Sequence, residues 1–117
     1  MEIQQPITFL GNTLAVIRGF SEEVKREIGH QLDRVQRGLE PDDWKPMKAI
    51  VAGAKEIRVR DKLGAFRVIY VVKRSDGILV LHAFQKKTEK TTKHDLDIAK
   101  TRYSVFLTGK NKKGERQ

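Results

Sequence analysis

The sequence predicts an α+β domain: a sheet of about four strands, with two helices ahead of its main part and one helix after it. Three observations predict this. Val24, Ile28, Leu32 and Val35 recur at helical spacing, as do Leu96, Ala99, Tyr103 and Phe106. Between those stripes, residues 55–84 alternate or run apolar in the manner of strands. That stretch is broken at Asp61-Lys62-Leu63-Gly64 and Arg74-Ser75-Asp76-Gly77, two turn signals that join successive strands as hairpins.

The first element is a short strand within Ile3 to Leu10, carried by ITFL. Pro6 cannot donate to a ladder, so this strand belongs at a sheet edge. Gly11-Asn12 breaks it, and Thr13 to Gly19 forms a short helix capped by Asn12 or Thr13. Ser21 caps the second helix, and Glu22 and Glu23 place negative charge in its first turn, where the helix dipole favours it. Gly38 follows its end as the C′ residue. His30 lies off the apolar stripe and reads as a solvated residue. Leu39 to Pro46 carries two prolines and reads as a loop, with Trp44 as a half-buried anchor rather than a base-stacking platform. Met47 to Ala54 is a connector ending near Gly53.

The second strand covers Ala54 to Asp61, with Ile57 and Val59 on one face and Glu56, Arg58 and Arg60 on the other. The third runs from Ala65 to Lys73. Phe66, Val68, Tyr70 and Val72 share one face; Arg67, Ile69 and Val71 share the other. Tyr70 therefore reads as core. The fourth, Ile78 to Phe84, is apolar on both faces, and simple alternation puts His82 with Ile78, Val80 and Phe84. Gln85 to Lys93 reads as a basic loop. Thr92 then caps the last helix, with Asp95 three residues on, and Gly109 ends it. Tyr103 sits on that helix's apolar stripe and reads as packing. The expected organisation is one domain over residues 1–109 and a basic flexible tail over 110–117.

Composition narrows the function. No apolar run approaches the ~20 residues that span a bilayer, and the start of the chain lacks the cationic segment of a signal peptide, so a cytoplasmic protein is expected. The absence of cysteine excludes disulfides, thiolate metal sites and cysteine nucleophiles. Three scattered histidines fit no zinc spacing, so no metal and no cofactor are expected. The net charge of +9 is uneven: residues 1–44 carry −3 and residues 45–117 carry +12. A basic half of this kind favours a polyanionic partner, nucleic acid above all. Arg58, Arg60, Arg67, His82, Lys86 and Lys87 lie in or just past the strands of that half, with Lys90 in the loop beyond them.

The strings EIRVRD, GAFRVIY and ILVLHAFQKKT, followed by a helix carrying AKTRY, resemble the HigB-type branch of the RelE toxin superfamily, more narrowly its phage-derived members. The resemblance runs from FLGN to TRY. It implies an α+β, RelE-like fold with a curved antiparallel sheet. It also implies the toxin of a type II toxin–antitoxin system: a ribosome-dependent endoribonuclease that cuts mRNA and is held inactive by a helix-turn-helix (HigA-like) antitoxin. Matched by motif, Arg58 and Arg67 take the basic sheet positions, and Lys86 and Lys87 take the basic segment after the last strand.

Cutting RNA without a metal requires a base for the 2′-hydroxyl, cations for the phosphorane charge and an acid for the 5′-oxygen. Arg67 and Arg58 suit the charge, because a guanidinium pairs two phosphate oxygens, with Lys86 or Lys87 assisting. His82 is the first candidate for base or acid, as the one strand imidazole. Arg60, Lys87, Lys90 and Arg102 complete the expected RNA-binding set, and Glu56 reads as a structural partner of Arg58. Two other readings are open: a protein of the same fold that inhibits a protein target such as gyrase, and an RNA-binding module without activity. Grouped acid–base residues favour the nuclease.

Overall fold

The structure, a computed structural model, describes residues 4–87 and 90–116, with side chains as far as residue 109. The elements in chain order are β1 (Ile7–Phe9), α1 (Thr13–Arg18), α2 (Glu22–Gln36), β2 (Trp44–Pro46), β3 (Lys55–Asp61), β4 (Gly64–Lys73), β5 (Gly77–Lys86) and α3 (Lys93–Arg116). The fold is α+β, but the sheet differs from the expected four antiparallel strands. Five strands stand in the order β1-β5-β4-β3-β2. β2, β3, β4 and β5 are antiparallel to their neighbours, while β1 runs parallel to β5, so the sheet is mixed.

Both departures arise from contacts distant in sequence. β2 lies within the segment expected to be a loop. It pairs Trp44 with Ile57 and Lys45 with Glu56, and Pro46 is tolerated because the strand is an edge. β1 is the opposite edge, as Pro6 implied, and the carbonyl of Pro6 accepts from Ile78 N–H at 2.8 Å. The direction of β1 is set by where α1 and α2 return the chain, which no local pattern encodes.

Three of the helix signals hold. Ser21 Oγ accepts from Val24 N–H at the start of α2. At its end Gly38 has φ +83°, with Gly38 N–H on Val35 O and Leu39 N–H on Arg34 O, the two bonds of a Schellman motif. Thr92 Oγ1 accepts from Asp95 N–H and so caps α3. Asn12 occupies the cap position of α1 without a side-chain capping bond. Gly109 does not end α3: the helical backbone continues to Arg116, seven residues into the segment expected to be a flexible tail. A helix tolerates one exposed glycine at a cost of about 1 kcal/mol.

The two sheet faces carry separate cores. Ile57, Val59, Phe66, Val68, Tyr70, Ile78, Val80 and Ala83 pack with Ile17, Val24, Ile28, Leu32 and Val35 of the first two helices. Ile69, Val71, Leu79 and Leu81 pack with Ala99, and Phe84, Leu96, Tyr103 and Phe106 join them, so α3 covers the second face. Among the described residues no helix is long and apolar enough to cross a membrane.

One irregularity decides which side chains meet. The β4–β5 register pairs Ile69 with His82 but Tyr70 with Val80, so Leu81 is an extra residue in β5. Alternation resets there. His82 does not share a face with Ile78 and Val80 as strict alternation expects; it lies on the α3 face opposite Ile69, and Phe84 moves with it. β5 also extends two residues past Phe84, so Gln85 and Lys86 belong to the strand rather than to the basic loop.

Candidate functional site: a basic grid on three strands

The register of β3, β4 and β5 arranges nine residues of the α3 face in three rows. One row is Glu56, Ile69 and His82; the next is Arg58, Arg67 and Phe84; the third is Arg60, Ala65 and Lys86. Lys45 of β2 extends the first row beside Glu56. Arg58, Arg60, Arg67, His82 and Lys86 thus occupy one face. The bulge at Leu81 brings His82 and Lys86 onto the side of Arg67.

The centre of the grid is a buried ion pair. Glu56 has no exposed surface and Arg67 is 1% exposed. Arg67 Nε lies 3.5 Å from Glu56 Oε1, and Lys45 Nζ lies 4.0 Å from the same oxygen. Arg67 Nη1 donates to its neighbour's carbonyl, Phe66 O, at 3.0 Å. The other carboxylate oxygen of Glu56 accepts from the hydroxyl of Thr91. Glu56 is therefore the partner of Arg67 and not of Arg58, as the sequence suggested. Arg58 instead has Asp43 at 3.9 Å and remains half-buried.

Charge is unbalanced across this patch. Arg58 and Arg67 are directly opposed, and like charges in opposed strand positions repel. Burial pushes the Arg67 guanidinium below its ordinary range; Glu56 opposes that shift, and Arg58 and Arg60 add to it. Burial likewise lowers the Lys86 ammonium, with the charges of Arg67, Lys45 and Arg58 pushing the same way and Glu56 opposing. Glu56 Oε1, Arg67 Nε and Arg58 Nε are all buried without a hydrogen bond. A carboxylate with neighbouring open guanidinium donors can hold a phosphate and take a proton from a nearby hydroxyl.

His82 stands at the edge of this arrangement and is engaged elsewhere. Its ring is 7% exposed and stacks on Phe84 with centroids 4.9 Å apart. Its Nε2 lies 2.8 Å from Asp95 Oδ1, and Thr92 Oγ1 donates to the other oxygen of Asp95. Burial lowers the imidazole's pKa, outweighing the pull of Asp95. For Asp95, burial acts to raise the pKa, but the bonds from His82 and Thr92 prevail and lower it. The pair ties the first turn of α3 to β5, and Ile69 separates His82 from Glu56 within their row.

The expected RNA-binding residues divide. Arg60 and Lys87 are exposed at the strand ends, and Lys90 is exposed in the segment before α3. Arg102 is drawn away from the grid: Nη1 donates to Leu81 O at 3.1 Å and Nη2 to Asn12 Oδ1 at 2.6 Å. It clamps α3 onto the bulge and onto the turn after β1. Trp44 is half-buried with Lys55 Nζ 4.5 Å from its ring centroid, an anchor in the β2–β3 hairpin.

Sequence reasoning missed the central place of Glu56 and the participation of Lys45 and Thr91. The polar face EIRVR did signal that Glu56 shares a side with Arg58. No signal marked Lys45, because its strand was unrecognised, or Thr91, which lies 35 residues from Glu56. Among the described residues no three carboxylate or imidazole groups are close enough to hold a metal ion together.

A family model described as Phage derived protein Gp49-like (DUF891) matches residues 15–104, a span from α1 into α3 that contains the whole grid. No curated protein matches the chain.

Proposed function

We propose a function for this chain from one premise: it belongs to the phage-derived Gp49-like family. It is the toxin of a type II toxin–antitoxin pair, related to the HigB-type branch of the RelE superfamily. It cuts mRNA on the ribosome, in the cytoplasm, until a helix-turn-helix antitoxin binds it. The strand motifs that resemble that branch support this reading, and so does the strongly basic second half of the chain.

The observation that carries it is the opposition of Arg58 and Arg67 across β3 and β4, beside the buried carboxylate of Glu56. A sheet that sets two guanidiniums face to face is costly unless an anion arrives between them. A phosphodiester is such an anion. In the proposed reaction Arg58 grips a non-bridging oxygen, while Arg67 holds the Glu56 carboxylate in place and adds its positive field. Glu56 accepts the proton of the 2′-hydroxyl as that oxygen attacks phosphorus. Lys86, whose ammonium is weakened by burial and by neighbouring cations, gives a proton to the departing 5′-oxygen. The products are a 2′,3′-cyclic phosphate and a free 5′-hydroxyl. His82 anchors α3 and takes no proton.

Expression of the protein followed by primer-extension mapping of mRNA ends tests this. New 5′ ends in translated messages are expected, and their loss in Glu56→Gln and Arg58→Ala variants that still fold. Growth arrest with altered DNA supercoiling and intact mRNA would overturn the nuclease reading in favour of a protein-targeted inhibitor.

A further inference from the structure

The hydroxyl that sits on Glu56 belongs to the protein itself. Thr91 Oγ1 donates to Glu56 Oε2, reaching it from the segment just before α3. Thr91 is half-buried and Glu56 wholly buried, and among the described residues this alcohol is the hydrogen-bond donor to Oε2. The other oxygen is less well served: Glu56 Oε1 and Arg67 Nε, 3.5 Å apart, both lack a hydrogen bond although both are buried. An alcohol on a carboxylate, with the unfilled Arg67 Nε donor beside it, is half of a bound ribonucleotide. The missing half is the phosphate.

We propose that Thr91 occupies the subsite of the ribose 2′-hydroxyl and, by competing for it, moderates the preference for RNA over DNA. The inference rests on the ribonuclease reading above. A buried carboxylate oxygen deprived of its donor is costly, so Thr91 leaves only when another donor replaces it. Ribose brings one; deoxyribose does not. With deoxyribose bound, Thr91 stays on Glu56, so only ribose engages the carboxylate. Thr91 is half-buried, so its hydroxyl can turn to solvent when the ribose hydroxyl takes its place. Thr91 is a specificity-determining residue here: it competes with the substrate's hydroxyl and takes no part in bond breaking.

The test is equilibrium binding of the full chain to an oligoribonucleotide, the oligodeoxyribonucleotide of the same sequence and a 2′-O-methyl version, at low salt. Thr91→Val removes the competing donor with little change of shape, and RNA is expected to bind about tenfold more tightly, the scale of one hydrogen bond to a charged group, with DNA unchanged. Thr91→Ser keeps the hydroxyl and is expected to match the parent. Should Thr91→Val not fold, the parent protein decides: the 2′-O-methyl oligomer keeps the oxygen but not its donor, and is expected to bind like DNA. If it binds like RNA, or if Thr91→Val leaves the RNA-to-DNA ratio unchanged while Arg58→Ala weakens RNA binding, Thr91 has no such role and the nuclease reading stands. If RNA binding is indifferent to Arg58→Ala as well, both readings fall.

Discussion

Arg58 and Arg67 face each other across adjacent antiparallel strands, and only one of them is neutralised within the sheet. Arg67 has Glu56 at 3.5 Å and is shut from water; Arg58 has Asp43 at 3.9 Å and stays half open. The inner guanidinium is thus held by the fold, and the outer one is left to meet a ligand. Four measurable consequences follow from this division of labour and from the contacts around it.

Removing Arg67 strands a buried carboxylate. Arg67→Ala is expected to destabilise the protein by about 3–5 kcal/mol, the usual cost of breaking a buried pair from one side. The double change Arg67→Met with Glu56→Leu is expected to cost far less than the two single changes together, because no unpaired charge remains. Urea denaturation of the four proteins measures the coupling; additive losses would show that the pair is not a unit.

Arg58 and Lys86 are two partly exposed cations of the grid, so their effect is on binding rather than folding. Each alanine variant is expected to reduce the slope of log K against log salt for single-stranded RNA by about 0.7 per lost phosphate contact. Thermal stability should change little for Lys86→Ala. A salt titration of RNA binding checks this, and an unchanged slope in both variants would remove these residues from the interface.

Arg102 gives the opposite expectation. Its bonds to Leu81 O and Asn12 Oδ1 make it a clamp, so Arg102→Ala is expected to cost about 1.5–3 kcal/mol while leaving the salt slope of RNA binding unchanged. Gly11→Ala attacks the same clamp. Gly11 has φ +56°, and an added Cβ would lie 2.3 Å from Arg102 Nε. The left-handed conformation alone costs an alanine about 1–2 kcal/mol. Part of the total loss should vanish in the Arg102→Ala background, which denaturation of the double variant reads directly.

His82 supplies a pH dependence of known sign. Its pKa in the folded protein lies below the ordinary 6.5, chiefly through burial. Between the folded value and 6.5 the unfolded chain binds the proton and the folded chain does not. The stabilisation from this residue is therefore full above pH 6.5 and is lost as pH falls toward the folded value. His82→Gln is expected to flatten the fall in denaturation midpoint between pH 7.5 and 5.5. A fall as steep as the parent's would assign the dependence to other groups. Glu56 is separated from this residue by Ile69, so RNA cleavage by His82→Gln is expected to survive at pH 7.5 wherever the variant is folded.

Local chemistry wrote much of the fold into the sequence. Ser21 and Gly38 bound α2, Thr92 opens α3, two hairpin turns lie where their residues demand them, and Tyr70 is in the core, because caps, turns and apolar periodicity depend on neighbours within a few residues. The shared face of Glu56, Arg58 and Arg60 followed from alternation alone. Tertiary structure decided the rest. The extra residue at Leu81 is invisible in a run that is apolar on both faces, yet it turns His82 and Lys86 to the side of Arg67. The pairing of Lys45, Arg67 and Thr91 around one carboxylate joins four separate segments, and the parallel placement of β1 depends on the path of two helices. Periodicity is a property of consecutive residues, whereas a buried charge finds its partners only after the segments that carry them have packed together.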